Sequence, residues 1–193
     1  MPISRYATNP LTAPTPATIC SEMRKTLVRS FFQRPLTEAP PAPDAAALAE
    51  LAGRVDQVAR NRLGRSLAIR QVDAGSCNGC ELEIHALNNA FYDLERFGIR
   101  FVASPRHADV LLVTGPVTRN MQQALERTYA ATPSPKWVVA VGDCALDGGI
   151  FAGSYAVAGG VSAIIPVDLH IRGCPPTPTH LLTGLLALLT ASH

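Results

Sequence analysis

The sequence predicts an α/β fold in which helices cover both faces of a parallel sheet. Five short apolar runs of β type alternate with helical patterns, which is typical of right-handed βαβ units. With 193 residues, the chain is long enough to bury a core of its own. The β-type runs lie at 67–72, 99–102, 110–115, 137–142 and 164–169.

We expect the compact α/β domain to span residues 66–193 and to follow a helical N-terminal extension. Within the domain, helices are predicted at 81–97 and 118–131. A last helix is predicted after Thr177, because Pro178 suits the first turn of a helix. No internal repeat is visible in the sequence.

The N-terminal extension divides into an arm over 1–43 and a connecting helix over 44–65. Four prolines within the first 17 residues predict an extended arm, and an amphipathic helix is expected at 18–34. Two interpretations of that helix stay open: it packs on its own domain, or it lies on a membrane subunit or the lipid surface. Asp44 is a candidate N-cap of the connecting helix, and Gly64 is its candidate end.

Four of the five cysteines follow predicted strands. Cys77 and Cys80 form a C-x-x-C pair after the first strand. Cys144 follows the fourth strand, and Cys174 follows the fifth. Because the carboxyl ends of parallel strands meet at one edge of the sheet, we expect the four thiols to converge. Four thiolates are the usual ligands of a [4Fe–4S] cluster, so the sequence predicts an electron-transfer centre.

Other interpretations of the cysteines fit the spacing less well. A structural zinc site usually has two close pairs, whereas Cys144 and Cys174 lie 64 and 94 positions beyond Cys80. A thioredoxin-type redox pair would leave those two cysteines without a role. Disulfides are disfavoured because the sequence opens without the pattern of a secretory signal. Cys20 is interpreted as an ordinary packed thiol.

The composition narrows the class of protein. Hydrophobic residues make up 47% of the chain and charged residues 17%, which favours a subunit buried among partners. A net charge of +2, without a basic patch interleaved with aromatics, argues against nucleic-acid binding. The uncharged stretch 148–167 is rich in glycine, and the apolar run 181–189 is short, so no membrane span is predicted.

Several residues beside the cysteines have two interpretations each. Gly75 and Gly79 either bring backbone N–H groups close to sulfur or simply allow a turn. Glu81 and Glu83 have two interpretations. They cap the helix start or interact with its dipole, or they tune the reduction potential of the centre or relay protons. Asp143 is a candidate for a hydrogen bond near the centre and equally for a loop cap. No nucleophile or nucleotide motif is present, so no bond-breaking chemistry is expected from this chain.

Four motifs together resemble the small subunit of membrane-bound, energy-converting [NiFe] hydrogenases and of formate hydrogenlyase, a family related to the PSST subunit of respiratory complex I. The motifs are Gly75-Ser76-Cys77-Asn78-Gly79-Cys80-Glu81, Gly142-Asp143-Cys144-Ala145, Gly148-Gly149-Ile150-Phe151 and Gly173-Cys174-Pro175-Pro176.

The resemblance implies a flavodoxin-like core with one [4Fe–4S] cluster. It also implies a position between a ferredoxin-like two-cluster subunit and the large catalytic [NiFe] subunit, within a complex that includes membrane subunits. The chain would then be a peripheral, non-catalytic relay on the cytoplasmic side of the inner membrane.

One feature of the first motif distinguishes two branches of this family. The complex I subunits carry adjacent cysteines there, whereas Asn78 and Gly79 separate the two cysteines of this chain. Glu81 follows the pair, as in the hydrogenase branch. Electron transfer within a hydrogenase is therefore the main prediction. A complex I-like NADH:quinone oxidoreductase subunit is the alternative.

Overall fold

The computed structural model describes residues 45–191, together with Lys25. The predictions for the 1–43 arm, the 18–34 helix, Cys20 and the Asp44 cap lie outside the described residues. The helices are α1 (Ala45–Leu63), α2 (Gly79–Ala86), α3 (Arg119–Ala131), α4 (Asp143–Asp147) and α5 (Pro178–Thr190). The strands are β1 (Ala68–Asp73), β2 (Arg100–Phe101), β3 (Val110–Thr114), β4 (Val117–Thr118), β5 (Trp137–Val141), β6 (Val157–Gly159) and β7 (Leu169–Ile171).

Five of the strands form one parallel sheet in the order β2-β1-β3-β5-β7. Ile69 lies beside Val110, and Val110 lies beside Trp137 across the middle of the sheet. With β4 and β6 outside this sheet, the order is the one found in flavodoxin-like folds. The predicted α/β fold with a flavodoxin-like parallel sheet is confirmed.

The central strands bury both of their faces. Along β3, Val110 and Leu112 pack into one core cluster with helices α1, α2 and α5. Leu111 and Val113 point to the other face and pack into a second cluster, which includes Leu125 of α3. Because side chains alternate along a strand, two buried faces require a continuous apolar run, as the sequence has here.

Helix α1 packs directly against the core. Val55 and Ala59 on its inner face have no exposed surface. Arg62 extends to the end of α5 and donates hydrogen bonds to the carbonyl oxygens of Leu189 and Ala191, at 2.8 and 2.9 Å. The helix ends as predicted at Gly64, which has a left-handed φ of 68° and donates to the Arg60 carbonyl.

The predicted helix over 81–97 is wrong in its second half. Helix α2 ends at Ala86, and a separate 3₁₀ helix spans Leu94–Phe97. Between them, the Asn89 side chain accepts hydrogen bonds from the backbone of Phe91 and Tyr92. This local bonding competes with the helical pattern, which explains the early end.

The predicted strand over 164–169 is also wrong in position. A 3₁₀ helix occupies Val161–Ala163, and the strand β7 begins only at Leu169. Ile165 is buried in the second core cluster, so its apolar character reflects packing outside the sheet. Short apolar runs do not by themselves distinguish these two kinds of burial.

The other helices begin close to the predicted residues. Helix α3 starts at Arg119, one residue after the predicted start. Helix α5 starts at Pro178, and the Thr177 side chain accepts a hydrogen bond from the backbone of His180 at 3.3 Å. The small antiparallel pair of β4 and β6 was not predicted. Within residues 45–191, every helix is too short or too polar to cross a bilayer.

Candidate metal centre

Three loops at the carboxyl ends of parallel strands bring four cysteines to one cavity. Cys77 and Cys80 follow β1, Cys144 lies in the first turn of α4 after β5, and Cys174 follows β7. All four line a cavity of about 80 Å³. The remaining lining residues are Ser76, Gly79, Gly115, Asp143, Gly173 and Pro175.

The first loop is held by side-chain hydrogen bonds to its own backbone. Asp73 Oδ1 accepts from the N–H groups of Gly75 and Ser76, both at 2.8 Å. Ser76 Oγ accepts from the N–H of Asn78 at 3.0 Å. Asn78 adopts a left-handed φ of 72° and precedes α2, so Cys80 lies in the first turn of that helix. This series of turns directs both cysteines of the pair toward the cavity.

The backbone approaches sulfur most closely at Gly142 and Gly149, and not at Gly75 and Gly79, where the sequence led us to expect it. A Cβ added at Gly142 would lie 2.7 Å from Cys80 Sγ, and one at Gly149 would lie 2.8 Å from Cys144 Sγ. The corresponding distance from Gly79 to Cys77 Sγ is 3.6 Å, an ordinary contact. Gly75 instead faces the Thr118 side chain.

Sequence reasoning did not identify the close contacts of Gly142 and Gly149 with sulfur. Both glycines follow β5 in a glycine-rich stretch, and both have positive φ, 88° and 52°. The only sign of these contacts in the sequence was the high number of glycines that follow the strand. It could not show which sulfur each glycine would contact, because the partner of Gly142 is Cys80, far away in the sequence.

Asp143 joins the second and third loops. Its Oδ1 accepts from the N–H of Gly173 at 3.1 Å, while its own N–H donates to the Gly173 carbonyl at 3.0 Å. The loops that carry Cys144 and Cys174 are therefore held together by a pair of hydrogen bonds. Asp143 therefore stabilises the loops through hydrogen bonds, in keeping with the predicted role in loop structure.

Two of the thiols at the cavity, Cys80 and Cys144, have raised pKa values. Burial, followed by the charges of Glu81 and of the other three cysteines, raises the pKa of the Cys80 thiol from 9.0 to about 12. Burial and the charge of Cys174 also raise the pKa of Cys144, while a hydrogen bond from the Ile150 N–H acts in the opposite direction. Mutual repulsion of thiolates is relieved when they coordinate a positively charged metal group.

The donor set fits a metal group shared by the four thiols. Cys77, Cys80, Cys144 and Cys174 are all free, without a disulfide among them. Within residues 45–191, no three His, Cys, Asp or Glu side chains are arranged to hold a single ion. The thiols instead surround a common cavity.

Glu81 is buried beside the cavity, with 5% of its surface exposed. Its Oε2 accepts a hydrogen bond from Ser76 Oγ. Its Oε1 is buried and has no hydrogen-bond partner in the described part of the chain. Glu83, two residues further along α2, is only half-buried.

Several large apolar side chains are exposed, and one of them, Ile150, lies beside the cysteines. Leu82, Ile150 and Tyr155 are exposed to 61, 85 and 90%. Ile150 lines an open groove of about 440 Å³ together with Cys144 and Cys174. The histidines of the described part, His85, His107, His170 and His180, do not line the thiol cavity.

Comparisons with known proteins identify relatives of this chain. Residues 77–188 match the protein family described as NADH ubiquinone oxidoreductase, 20 Kd subunit. Formate hydrogenlyase subunit 7 of Escherichia coli is 50% identical over 123 residues, which is 64% of this chain and 48% of the relative. The chain therefore spans about half the length of that protein.

Two further relatives are covered over most of their length. A probable membrane-bound hydrogenase subunit of Pyrococcus furiosus is 46% identical over 127 residues, which is 66% of this chain and 76% of the relative. A solved chain of the membrane-bound sulfane sulfur reductase, an archaeal respiratory membrane complex, is 38% identical with a TM-score of 0.58. That similarity covers 70% of this chain and 73% of the solved one.

Proposed function

Because this chain belongs to the family of the NADH ubiquinone oxidoreductase 20 Kd subunit, we propose that it transfers electrons within a membrane-associated [NiFe] hydrogenase of the formate hydrogenlyase or hydrogenase-4 type. The convergence of the four cysteines on one cavity carries the proposal. Four cysteine thiolates suit one [4Fe–4S] cluster, with Cys77, Cys80, Cys144 and Cys174 as its ligands. Such a cluster, when bound, supplies one-electron transfer.

The residues of this chain hold and surround the cluster in this proposal. Gly142 and Gly149 leave the space that a side chain would take from the sulfurs. The backbone N–H of Ile150 acts to lower the pKa of the Cys144 thiol, and N–H groups that act on sulfur in this way stabilise a more negative cluster. Bond-breaking chemistry is assigned to the large subunit, because no nucleophile motif is present in this sequence.

The proposed partners are the large [NiFe] subunit and a ferredoxin-like two-cluster subunit, with this chain between them. The exposed Ile150 side chain on the groove beside Cys144 and Cys174 supports a protein contact there. Membrane subunits are proposed to contact the 18–34 segment, and the complex to lie on the cytoplasmic side of the inner membrane. The division into an arm (1–43), a connecting helix (44–65) and a cluster domain (66–193) is part of this proposal.

Metal analysis tests the proposal directly. The chain is purified anaerobically apart from its partner subunits, so that their iron is not counted, and is analysed for iron, acid-labile sulfide and zinc. We expect about four irons and about four sulfides per chain, and a low-temperature EPR signal after dithionite reduction. Zinc without iron or sulfide would instead indicate a structural metal site, and would overturn the redox role.

Cysteine variants test the ligand set. Cys144→Ser should remove the EPR signal of the isolated chain and the hydrogenase activity of the complex. Cys20→Ser is the matched control, since it removes a thiol outside the proposed ligand set and should retain both. Full activity in Cys144→Ser would refute its role as a ligand.

A second candidate is a complex I-like relay that delivers electrons to quinone. The description of the matched family favours it. The separation of Cys77 and Cys80 by two residues favours the hydrogenase branch. The large subunit that is encoded beside this chain distinguishes the two candidate functions. If it carries two C-x-x-C nickel-binding pairs, the hydrogenase function is supported. Quinone reduction by a complex whose large subunit lacks those pairs supports the second candidate.

A further inference from the structure

The carboxylate of Glu81 is buried beside the thiol cavity and is not one of the proposed ligands. One of its oxygens accepts a hydrogen bond from Ser76, and the other has no partner among residues 45–191. We propose that the charge of Glu81 lowers the reduction potential of the metal group held by the four cysteines. This inference rests on the proposed function and extends it to a residue that sets the potential.

The argument begins with the sign of the charge. Reduction adds one negative charge to the metal group, and a carboxylate nearby opposes that addition. Solvent and salt screen a buried charge much less than a surface charge. Glu81, with 5% of its surface exposed, therefore acts more strongly than an acid at the protein surface would.

The position of Glu81 relative to Cys80 supports the same conclusion. The two residues are neighbours in the first turn of α2. The charge of Glu81 raises the pKa of the Cys80 thiol, and the other three cysteines act in the same direction with smaller effects. In the described part of the chain, Glu81 forms no ion pair with Lys, Arg or His. The N-terminal end of α2 offsets part of its charge, but a helix dipole corresponds to only about half an elementary charge.

A purely structural role is the competing interpretation. The hydrogen bond from Ser76 to Glu81 could simply hold the C-x-x-C loop, because Ser76 Oγ also accepts from the Asn78 N–H. The two interpretations predict different results for Ser76→Ala. That variant removes the hydrogen bond but keeps the carboxylate. If the charge sets the potential, the reduction potential of Ser76→Ala should stay close to that of the wild type.

The test is an EPR-monitored redox titration of the full chain in its anaerobically purified complex, with dithionite as the reductant and at a single pH. Glu81→Gln should shift the reduction equilibrium at least tenfold toward the reduced form, which is about 59 mV upward for a one-electron couple. Glu81→Asp keeps the charge and should restore most of the wild-type potential. Glu83→Gln removes an equal charge from a half-buried position and should shift the equilibrium far less.

The outcomes separate this inference from the proposed function. A wild-type chain that holds no iron and sulfide overturns both. A loaded wild-type complex whose midpoint does not move in Glu81→Gln overturns the inference alone. A shift in Ser76→Ala as large as that in Glu81→Gln assigns the effect to loop structure and also overturns it. If Glu81→Gln does not retain the metal group, Glu81→Ser takes its place as the neutral variant, with the same criterion.

Discussion

The side chain of Asp143 accepts a hydrogen bond from the backbone of Gly173 at 3.1 Å, across the gap between two loops that are distant in sequence. Cys144 and Cys174 each lie one residue beyond a member of this pair. The bond therefore sets the spacing of two of the four thiols. The relationship depends on the parallel order of β5 and β7, which places both loops at the same edge of the sheet.

Replacing Asp143 should weaken the retention of the metal group more than it lowers the stability of the fold. Asp143→Ala removes the acceptor for Gly173, and loss of such an outer-shell contact typically weakens metal retention about 10-fold or more. Asp143→Asn keeps an acceptor oxygen and is the matched control. Iron content after a timed exposure to chelator measures the effect. Equal iron loss in the two variants would contradict this role.

Gly142→Ala should prevent normal assembly of the centre. The added Cβ would lie 2.7 Å from Cys80 Sγ, at a residue whose φ is 88°. Gly153→Ala is the control: its φ is 79°, but a Cβ there would have no neighbour within 4 Å. Backbone strain should cost each variant about 1–3 kcal/mol of unfolding free energy, whereas only Gly142→Ala should lose iron. Normal iron content in Gly142→Ala would show that the contact is unimportant.

The metal-free protein should lose stability at alkaline pH through Cys80. The pKa of this thiol is about 12 in the folded protein and 9.0 ordinarily, so the folded state retains the proton longer than the unfolded state. The resulting stability is fully present below pH 9 and is lost as the pH rises toward 12. Denaturant unfolding of the metal-free chain over this range measures it. Cys80→Ser should show a smaller alkaline loss, and an identical loss would exclude Cys80 as the cause.

Arg62→Ala should destabilise the fold without affecting the metal centre. Arg62 donates to two carbonyl oxygens at the end of α5, and its guanidinium lies 5.1 Å from the centre of the Trp137 ring. We expect a loss of about 1–3 kcal/mol in unfolding free energy. The exposed Arg60 pairs with Asp56 on the same helix and is the control; its replacement by Ala should cost less than about 0.5 kcal/mol of unfolding free energy. Denaturant midpoints that fall equally would contradict the prediction.

The exposed Ile150 side chain beside the cysteines should matter for assembly. Ile150→Ser should weaken co-purification of the chain with its partner subunits, because Ile150 is 85% exposed and borders the groove at Cys144. The substitution keeps the backbone N–H, which acts to lower the pKa of the Cys144 thiol. Phe91→Ser changes an exposed apolar residue that lies on neither the cavity nor the groove, and should assemble normally. Undiminished co-purification of Ile150→Ser would place the contact elsewhere.

The sequence by itself determined that the strands of the main sheet alternate with helices, and that Cys77, Cys80, Cys144 and Cys174 each follow a strand. Uninterrupted apolar runs such as Val110–Thr114 indicate strands buried on both faces, and parallel strands direct their following loops to one edge. The convergence of Cys77, Cys144 and Cys174 follows from that topology. These features depend on local pattern and on chain connectivity, which the sequence contains.

Only the tertiary structure decided which residues touch across the loops. The contact of Gly142 with Cys80, the burial of Glu81 and the packing of Ile165 outside the sheet each depend on segments far apart in the chain. Local periodicity is the same for an apolar residue in a strand and for one in a buried loop. Such contacts are set by the packing of the whole core, because close-packed side chains and backbone leave only one arrangement of the three loops.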